Sequence, residues 1–196
     1  QQETLLTRVP CHNGSEGPPL RSFVFDITDG SKQYEQYAKQ TFKALRSVVA
    51  SFSGLNLHTR LAIIVPTLEF RNQLSPLLQG FLDESAEYAG QFQLADAASV
   101  GRECIVGGRC ASSRQLITLD AIDQVDGMEY LIVMCVGLDS LKQDSDLTFA
   151  ETRSRLYRGV TRAHMLVLAV NEFILISSAA QVGEDEHLVH LVLRGF

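Results

Sequence analysis

Charged side chains that could bind phosphate recur at helical spacing late in the sequence. One stripe of a predicted helix carries Glu151, Arg155, Arg158 and Arg162. At 100° per residue a separate, apolar stripe consists of Phe149, Leu156, Val160 and Ala163. Because a guanidinium grips phosphate oxygens and stays charged, the pattern predicts a helix that packs on a sheet and presents arginines to a phosphate-bearing ligand. The alternative is a solvated face on which Glu151 pairs with the arginine four residues later.

The order of residues in this stretch favours the ligand. Residues 155–163, Arg-Leu-Tyr-Arg-Gly-Val-Thr-Arg-Ala, resemble motif VI of superfamily 1 helicases, including the UvrD-like group. The resemblance implies that Arg162 is an arginine finger, which reaches the γ-phosphate of ATP held by a partner domain. It also implies that Arg158 contacts the nucleotide. In related phosphoryl-transfer enzymes such fingers contribute roughly 10³–10⁵ in rate.

A second motif lies upstream. Residues 119–129, followed by the apolar run 130–136, are similar to motif V of the same family. Gly127 permits a tight turn and a close approach of backbone to ligand, and Glu129 matches the acidic residue that contacts the nucleotide sugar. The loop 123–126 would couple the nucleotide to a nucleic-acid track. The nucleic-acid contacts that the resemblance implies are Thr118, Asp123, Gln124 and Thr161.

Motif V also contains a departure from the family pattern. Asp126 stands where the family often has a basic or small residue before the glycine. A carboxylate repels phosphates, so this residue argues against nucleic-acid contact through the loop. An acidic surface turn between strands is the alternative interpretation.

The third element is residues 63–71, which resemble motif IV of helicases of the nonsense-mediated-decay type. Arg71 is the nearest arginine for the nucleotide, and an exposed helix residue is the alternative. UvrD-like members carry an arginine at the position of Pro66. Roughly forty residues separate this helix from motif V, so the large subdomain inserted there in many UvrD-like enzymes has no room.

Alternating strands and helices must position these motifs. Strands are predicted at residues 22–27, 61–65, 91–95, 115–119, 130–136, 165–170 and 188–193, helices at 32–52, 69–82 and 147–163, and a surface loop at 101–113. Apolar runs such as 61–65 suit parallel strands covered on both faces. We expect an α/β fold, a three-layer parallel sheet with helices on both faces, like the second RecA-like domain of P-loop NTPase helicases. Residues 1–21 would form a loop or linker, and residues 22–196 one domain.

Composition limits the classes of function. Of the 196 residues, 45% are hydrophobic and 20% charged, as in a globular chain. The longest apolar run, 130–138, is short of the roughly 20 residues of a membrane helix. The histidines and cysteines show no metal-ligand spacing, and Cys135 is expected to be a buried thiol in an intracellular protein of the cytoplasm or nucleus. The net charge of −6 argues against tight, autonomous nucleic-acid binding.

No phosphate-cradling loop of the Gly-x-x-x-x-Gly-Lys-Ser/Thr type is present in the sequence. We therefore expect half of an ATP site, with ATP and Mg²⁺ bound mainly by a first RecA-like domain elsewhere in a longer parent chain. The predicted function is that of the second motor domain of an ATP-dependent superfamily 1 helicase on single-stranded DNA or RNA, inactive alone. Two alternatives are a degenerate helicase-like domain that serves as a protein-interaction module, and an unrelated α/β nucleotide-binding domain.

Overall fold

The computed structural model describes residues 18–27, 29–105, 114–138 and 149–172. Six strands lie in these ranges: β1 (Arg21–Phe25), β2 (Leu61–Val65), β3 (Phe92–Ala95), β4 (Gln115–Ala121), β5 (Tyr130–Val136) and β6 (Ala163–Glu172). The helices are α1 (Gln33–Ser51), α2 (Leu68–Glu84), α3 (Ala97–Ile105) and α4 (Phe149–Val160). Short 3-10 turns occupy Gly30–Lys32 and Ile122–Gln124.

All strands run parallel in one sheet of order β1-β6-β5-β2-β4-β3. β2 and β5 occupy the middle, and every residue of β2 is buried, as expected where both faces of a parallel sheet are covered. The predicted three-layer α/β class is confirmed. Within the described ranges, no helix is both long and apolar enough to span a membrane.

Alternation along the strands separates two apolar layers. Ile63 and Val65 face the layer that contains α1 and α2, whereas Ile64 faces the layer with α3 and α4. The first layer includes the buried stripes Tyr37, Ala44, Leu45 and Val48 of α1 and Phe70, Leu74, Leu78 and Leu82 of α2. The second is smaller and contains Cys135, whose thiol is buried as predicted. Burial of each large apolar side chain contributes about 1.5–3 kcal/mol.

Two predictions about helices require correction. The sequence predicts a surface loop at 101–113, but α3 runs from Ala97 to Ile105, and residues 106–113 lie outside the described residues. Asp96 explains the start of this helix: its Oδ1 accepts a hydrogen bond from the Ser99 amide at 2.7 Å. Helix α4 ends at Val160 rather than at residue 163, so Arg162 lies in the turn before β6. The predicted strand 188–193 lies outside the described residues.

Candidate functional site

The connection from β4 to β5 and the end of α4 meet in space. Ile122 and Val125 of this connection are buried in the second apolar layer, and the partly buried Leu156 and Val160 of α4 pack against it. Their burial turns Asp123 and Gln124 outward, and both are exposed. Gly127 has a φ of +78°, so the tight turn predicted at this position requires glycine.

The turn after α4 fixes the backbone of Arg162. The Thr161 hydroxyl lies within hydrogen-bond distance of the carbonyl oxygens of Tyr157 (2.9 Å) and Arg158 (3.1 Å), and the Thr161 amide also donates to the Tyr157 carbonyl at 3.0 Å. The carbonyl of Arg162 accepts from the Tyr130 amide at 2.8 Å. Arg162 therefore lies where β6 begins, beside the start of β5.

Two arginines and two carboxylates form an ion-pair network at this place. Arg162 Nη2 lies 2.9 Å from Asp126 Oδ1, and Arg158 Nη2 lies 2.8 Å from Asp126 Oδ2. Arg158 Nη2 is also 2.9 Å from Asp123 Oδ1. The hydrogen bond from Arg158 is the chief cause that lowers the pKa of Asp126, and the bond to Asp126 likewise raises the pKa of Arg158. Both groups therefore keep their charges at neutral pH.

Arg162 is more enclosed than Asp126. Its side chain is 19% exposed, against 55% for the carboxylate. Its Nε is buried and has no hydrogen-bond partner. A buried donor without a partner costs free energy, so an acceptor that gained access to this nitrogen would be stabilised there.

Glu129 lies at the same end of the sheet, because the β5–β6 register places Tyr130 beside Ala163. Its Oε2 is 2.9 Å from His164 Nε2, and both side chains are largely exposed. The carboxylate of Glu129 therefore lies at the same edge of the sheet as the arginines, where it pairs with the imidazole of His164. Access from solvent leaves it free to exchange this partner.

Arg71 is held elsewhere. Its Nη1 lies 3.1 Å from Oδ1 of Asp120, a carboxylate of β4 that is 3% exposed. The Ala97 amide donates to the other oxygen of Asp120 at 2.9 Å, so the pair joins α2, β4 and α3. Arg71 follows the carboxyl end of β2, whereas Arg162 precedes β6. The structure does not bring Arg71 into the ion-pair network.

The burial of Thr118 contradicts the predicted nucleic-acid contact at this residue. Thr118 lies inside β4 with no exposed surface, and its hydroxyl has no partner. A strand of nucleic acid on the surface cannot reach it. Asp123, Gln124 and Thr161 are exposed beside the arginines. Within the described residues, no group of three His, Cys, Asp or Glu side chains could hold a metal ion.

The sequence did not identify the carboxylates that pair with these arginines. Asp126 was expected to repel phosphates, yet in the fold it pairs with both arginines. Asp120 was not singled out, and it anchors Arg71. The signal that could have identified Asp126 is its spacing of three residues from Asp123, which parallels the spacing of four between the arginines. Complementary spacing does not reveal which loop meets which helix.

The all-parallel sheet and its two helical layers define a RecA-like α/β domain. No protein-family model and no curated protein matches this chain. Among solved structures, it is similar to the C-terminal domain of a possible DNA helicase from Lactobacillus plantarum WCFS1, with a TM-score of 0.53 and 17% identity over 86% of this chain and 83% of that one. Similarity at this identity establishes the fold alone.

Proposed function

We propose that this chain is the second RecA-like motor domain of an ATP-dependent superfamily 1 helicase or translocase. The observation that carries the proposal is Arg162: a guanidinium on a backbone fixed by the Tyr130 amide, with a buried Nε that has no partner. It is the residue that the motif VI resemblance designates as the finger. The similar fold of a helicase C-terminal domain supports the same assignment.

The residues present fit the outer half of a nucleotide site. Arg162 and Arg158 would contact the phosphates, and Glu129, at the same end of the sheet, would contact the sugar. ATP with Mg²⁺ would supply the phosphoryl group whose transfer drives the motor. A guanidinium close to that group stabilises the charge that develops during transfer. Arg71 is not needed in this arrangement, because Asp120 already engages it.

A single-stranded nucleic acid would cross both motor domains and contact this one near the exposed Asp123, Gln124 and Thr161. The net charge of −6 means that this domain alone offers little attraction to phosphates. We therefore assign most of the affinity for the strand to the first motor domain. Closure and opening of the cleft between the domains would move the strand.

The test is Arg162→Ala in the protein that joins this domain to its first motor domain. Turnover of ATP should fall about 10³-fold or more, while nucleotide affinity changes far less, because a finger acts mainly in the transition state. Arg114→Ala is the matched control, since Arg114 also pairs with an exposed carboxylate, Asp83, at 3.1 Å. A rate within a few-fold of normal for Arg162→Ala would refute the finger. The chain of 196 residues alone should show no ATPase activity.

One observation favours a second candidate, a protein-interaction module derived from a motor. Asp126 neutralises both arginines, and the Tyr157 ring beside them is largely exposed, as in a surface for a protein partner. In that case Arg162→Ala would leave turnover unchanged. Salt-dependent binding of a single-stranded oligonucleotide by the longer protein would argue for the motor.

A further inference from the structure

We infer that Asp126 is a latch that occupies the place of a phosphoryl group on Arg158 and Arg162 and must swing away before the finger can act. The inference rests on the proposed function for the identity of the ligand. We call Arg158 and Arg162 the arginine pair.

The arginine pair has more donors than Asp126 can satisfy. The carboxylate uses one oxygen on each Nη2, at 2.9 Å for Arg162 and 2.8 Å for Arg158, and Arg158 Nη2 also has Asp123 Oδ1 at 2.9 Å. Nothing occupies the buried Nε of Arg162. A carboxylate has two oxygens, whereas a terminal phosphoryl group has three. A phosphoryl group in the place of Asp126 would therefore have one oxygen for each Nη2 and a third for Nε once the carboxylate has left, which makes it the better match in number and in charge.

The carboxylate is the part of the network that can move. Asp126 is largely exposed, and apart from the two flanking residues no heavy atom lies within 4 Å of a Cβ placed on the following residue, Gly127. Rotation of the Asp126 side chain would point it into solvent while the neighbouring Val125 stays buried as an anchor. Exposed ion pairs are weak, so a doubly or triply charged ligand can displace this one.

The backbone of Arg162 is the part that stays in place. The residue is held through its carbonyl by Tyr130, and the preceding Thr161 hydroxyl closes the end of α4. Release of Asp126 would then uncover a finger that is already positioned. When no phosphoryl group is bound, the Asp126 carboxylate stays on the arginine pair and competes with other anions for it.

The experiment is a titration of the 196-residue chain with inorganic pyrophosphate at low ionic strength. Binding is measured by calorimetry and by the shifts of the NMR signals of the arginine Nε–H groups. We expect Asp126→Asn to bind pyrophosphate about fivefold to tenfold more tightly than the wild type, because the competing carboxylate is gone. The gain should vanish in Asp126→Asn combined with Arg162→Gln. Asp126→Ser repeats the test with a smaller side chain should the amide disturb folding.

Asp83→Asn is the matched control, because it also removes one exposed carboxylate paired with an arginine. It should bind pyrophosphate like the wild type. Equal affinity of Asp126→Asn, Asp126→Ser and Asp83→Asn would overturn the latch, as would a gain that survives the loss of Arg162. The titration needs no first motor domain. If Asp126→Asn binds pyrophosphate no more tightly while Arg162→Ala slows ATP turnover, the latch is wrong and the proposed function stands. If Asp126→Asn binds more tightly while Arg162→Ala leaves turnover unchanged, the arginine pair is an anion site and the proposed function is wrong.

Discussion

Gly159 of α4 lies against Cys135 of β5 with no room for a side chain. A Cβ at residue 159 would be 3.0 Å from Cys135 Sγ and 2.8 Å from Leu138 Cδ1, both in the buried core. This approach sets the height of the helix over the sheet. It thereby places the arginines on either side of Gly159 over the connection that carries Asp123 and Asp126.

Gly159→Ala should lower the free energy of unfolding by about 1–2 kcal/mol, because overpacking of a tight contact outweighs the better helix propensity of alanine. Urea unfolding measures the change. Gly80→Ala in α2 is the matched control: nothing lies within 4 Å of a Cβ there, so this substitution should stabilise by about 0.5–1 kcal/mol. Equal effects of the two substitutions would show that the close approach carries no strain.

The carboxylate of Asp120 joins three elements and should be costly to remove. Asp120→Ala would leave Arg71 and the Ala97 amide without their acceptor, so we expect a loss of about 3 kcal/mol in unfolding free energy. Asp83→Ala, which removes an exposed carboxylate from Arg114, should change stability by about 0.5 kcal/mol or less. Chemical denaturation of both variants at neutral pH compares them. If Asp120→Ala lowered the free energy of unfolding no more than Asp83→Ala, Asp120 would not hold the three elements together.

The Asp96 cap of α3 should make the stability of the domain depend measurably on pH in the acid range. The pKa of Asp96 is lowered chiefly by the hydrogen bond from the Ser99 amide. A carboxyl whose pKa is lower in the folded state stabilises the fold above its unfolded pKa of about 4, and this contribution is lost as the pH falls through the folded value. Asp96→Ala should cost about 1 kcal/mol at pH 7. The difference in stability between Asp96→Ala and the wild type should shrink when the pH falls below about 4.

Asp96→Asn separates capping from charge in this prediction. An asparagine oxygen also caps a helix, so the variant should lose much less at pH 7 than Asp96→Ala. It should also lack the acid dependence that belongs to the carboxyl. Thermal melts between pH 3 and 7 test this, and a constant gap between Asp96→Ala and the wild type over that range would count against the charged cap.

The sheet could be predicted from the sequence because its central strands are continuous apolar runs. The predicted bounds of β2 and β5 match the structure, since a strand buried on both faces leaves no ambiguity in its apolar run. Helix α3 was missed because it has only nine residues, and Gly101 interrupts its pattern. The end of α4 depends on a tertiary contact, the bond between Tyr130 and Arg162, which no local pattern contains.

The candidate site was predictable in its arginines and not in their partners. The helical stripe identified Arg158 and Arg162, because the spacing of residues on one helix is fixed. Asp126 lies more than thirty residues away in sequence, and only the fold shows that it faces them. Thr118 was misjudged because a polar residue in a strand is compatible with either exposure or burial.

The position of β1 has a consequence for synthesis on the ribosome. Among the described strands β1 pairs only with β6, which is made last of them. At about 5–20 residues per second β1 therefore waits roughly seven to thirty seconds for its neighbour. Meanwhile Phe25 can stack edge-on against Tyr37 of α1, the helix that follows, with ring centroids 4.9 Å apart in the finished domain. A ribosome that stalls before β6 would leave the backbone of β1 open to pairing with other chains, and this edge is where we expect nascent-chain aggregation to start.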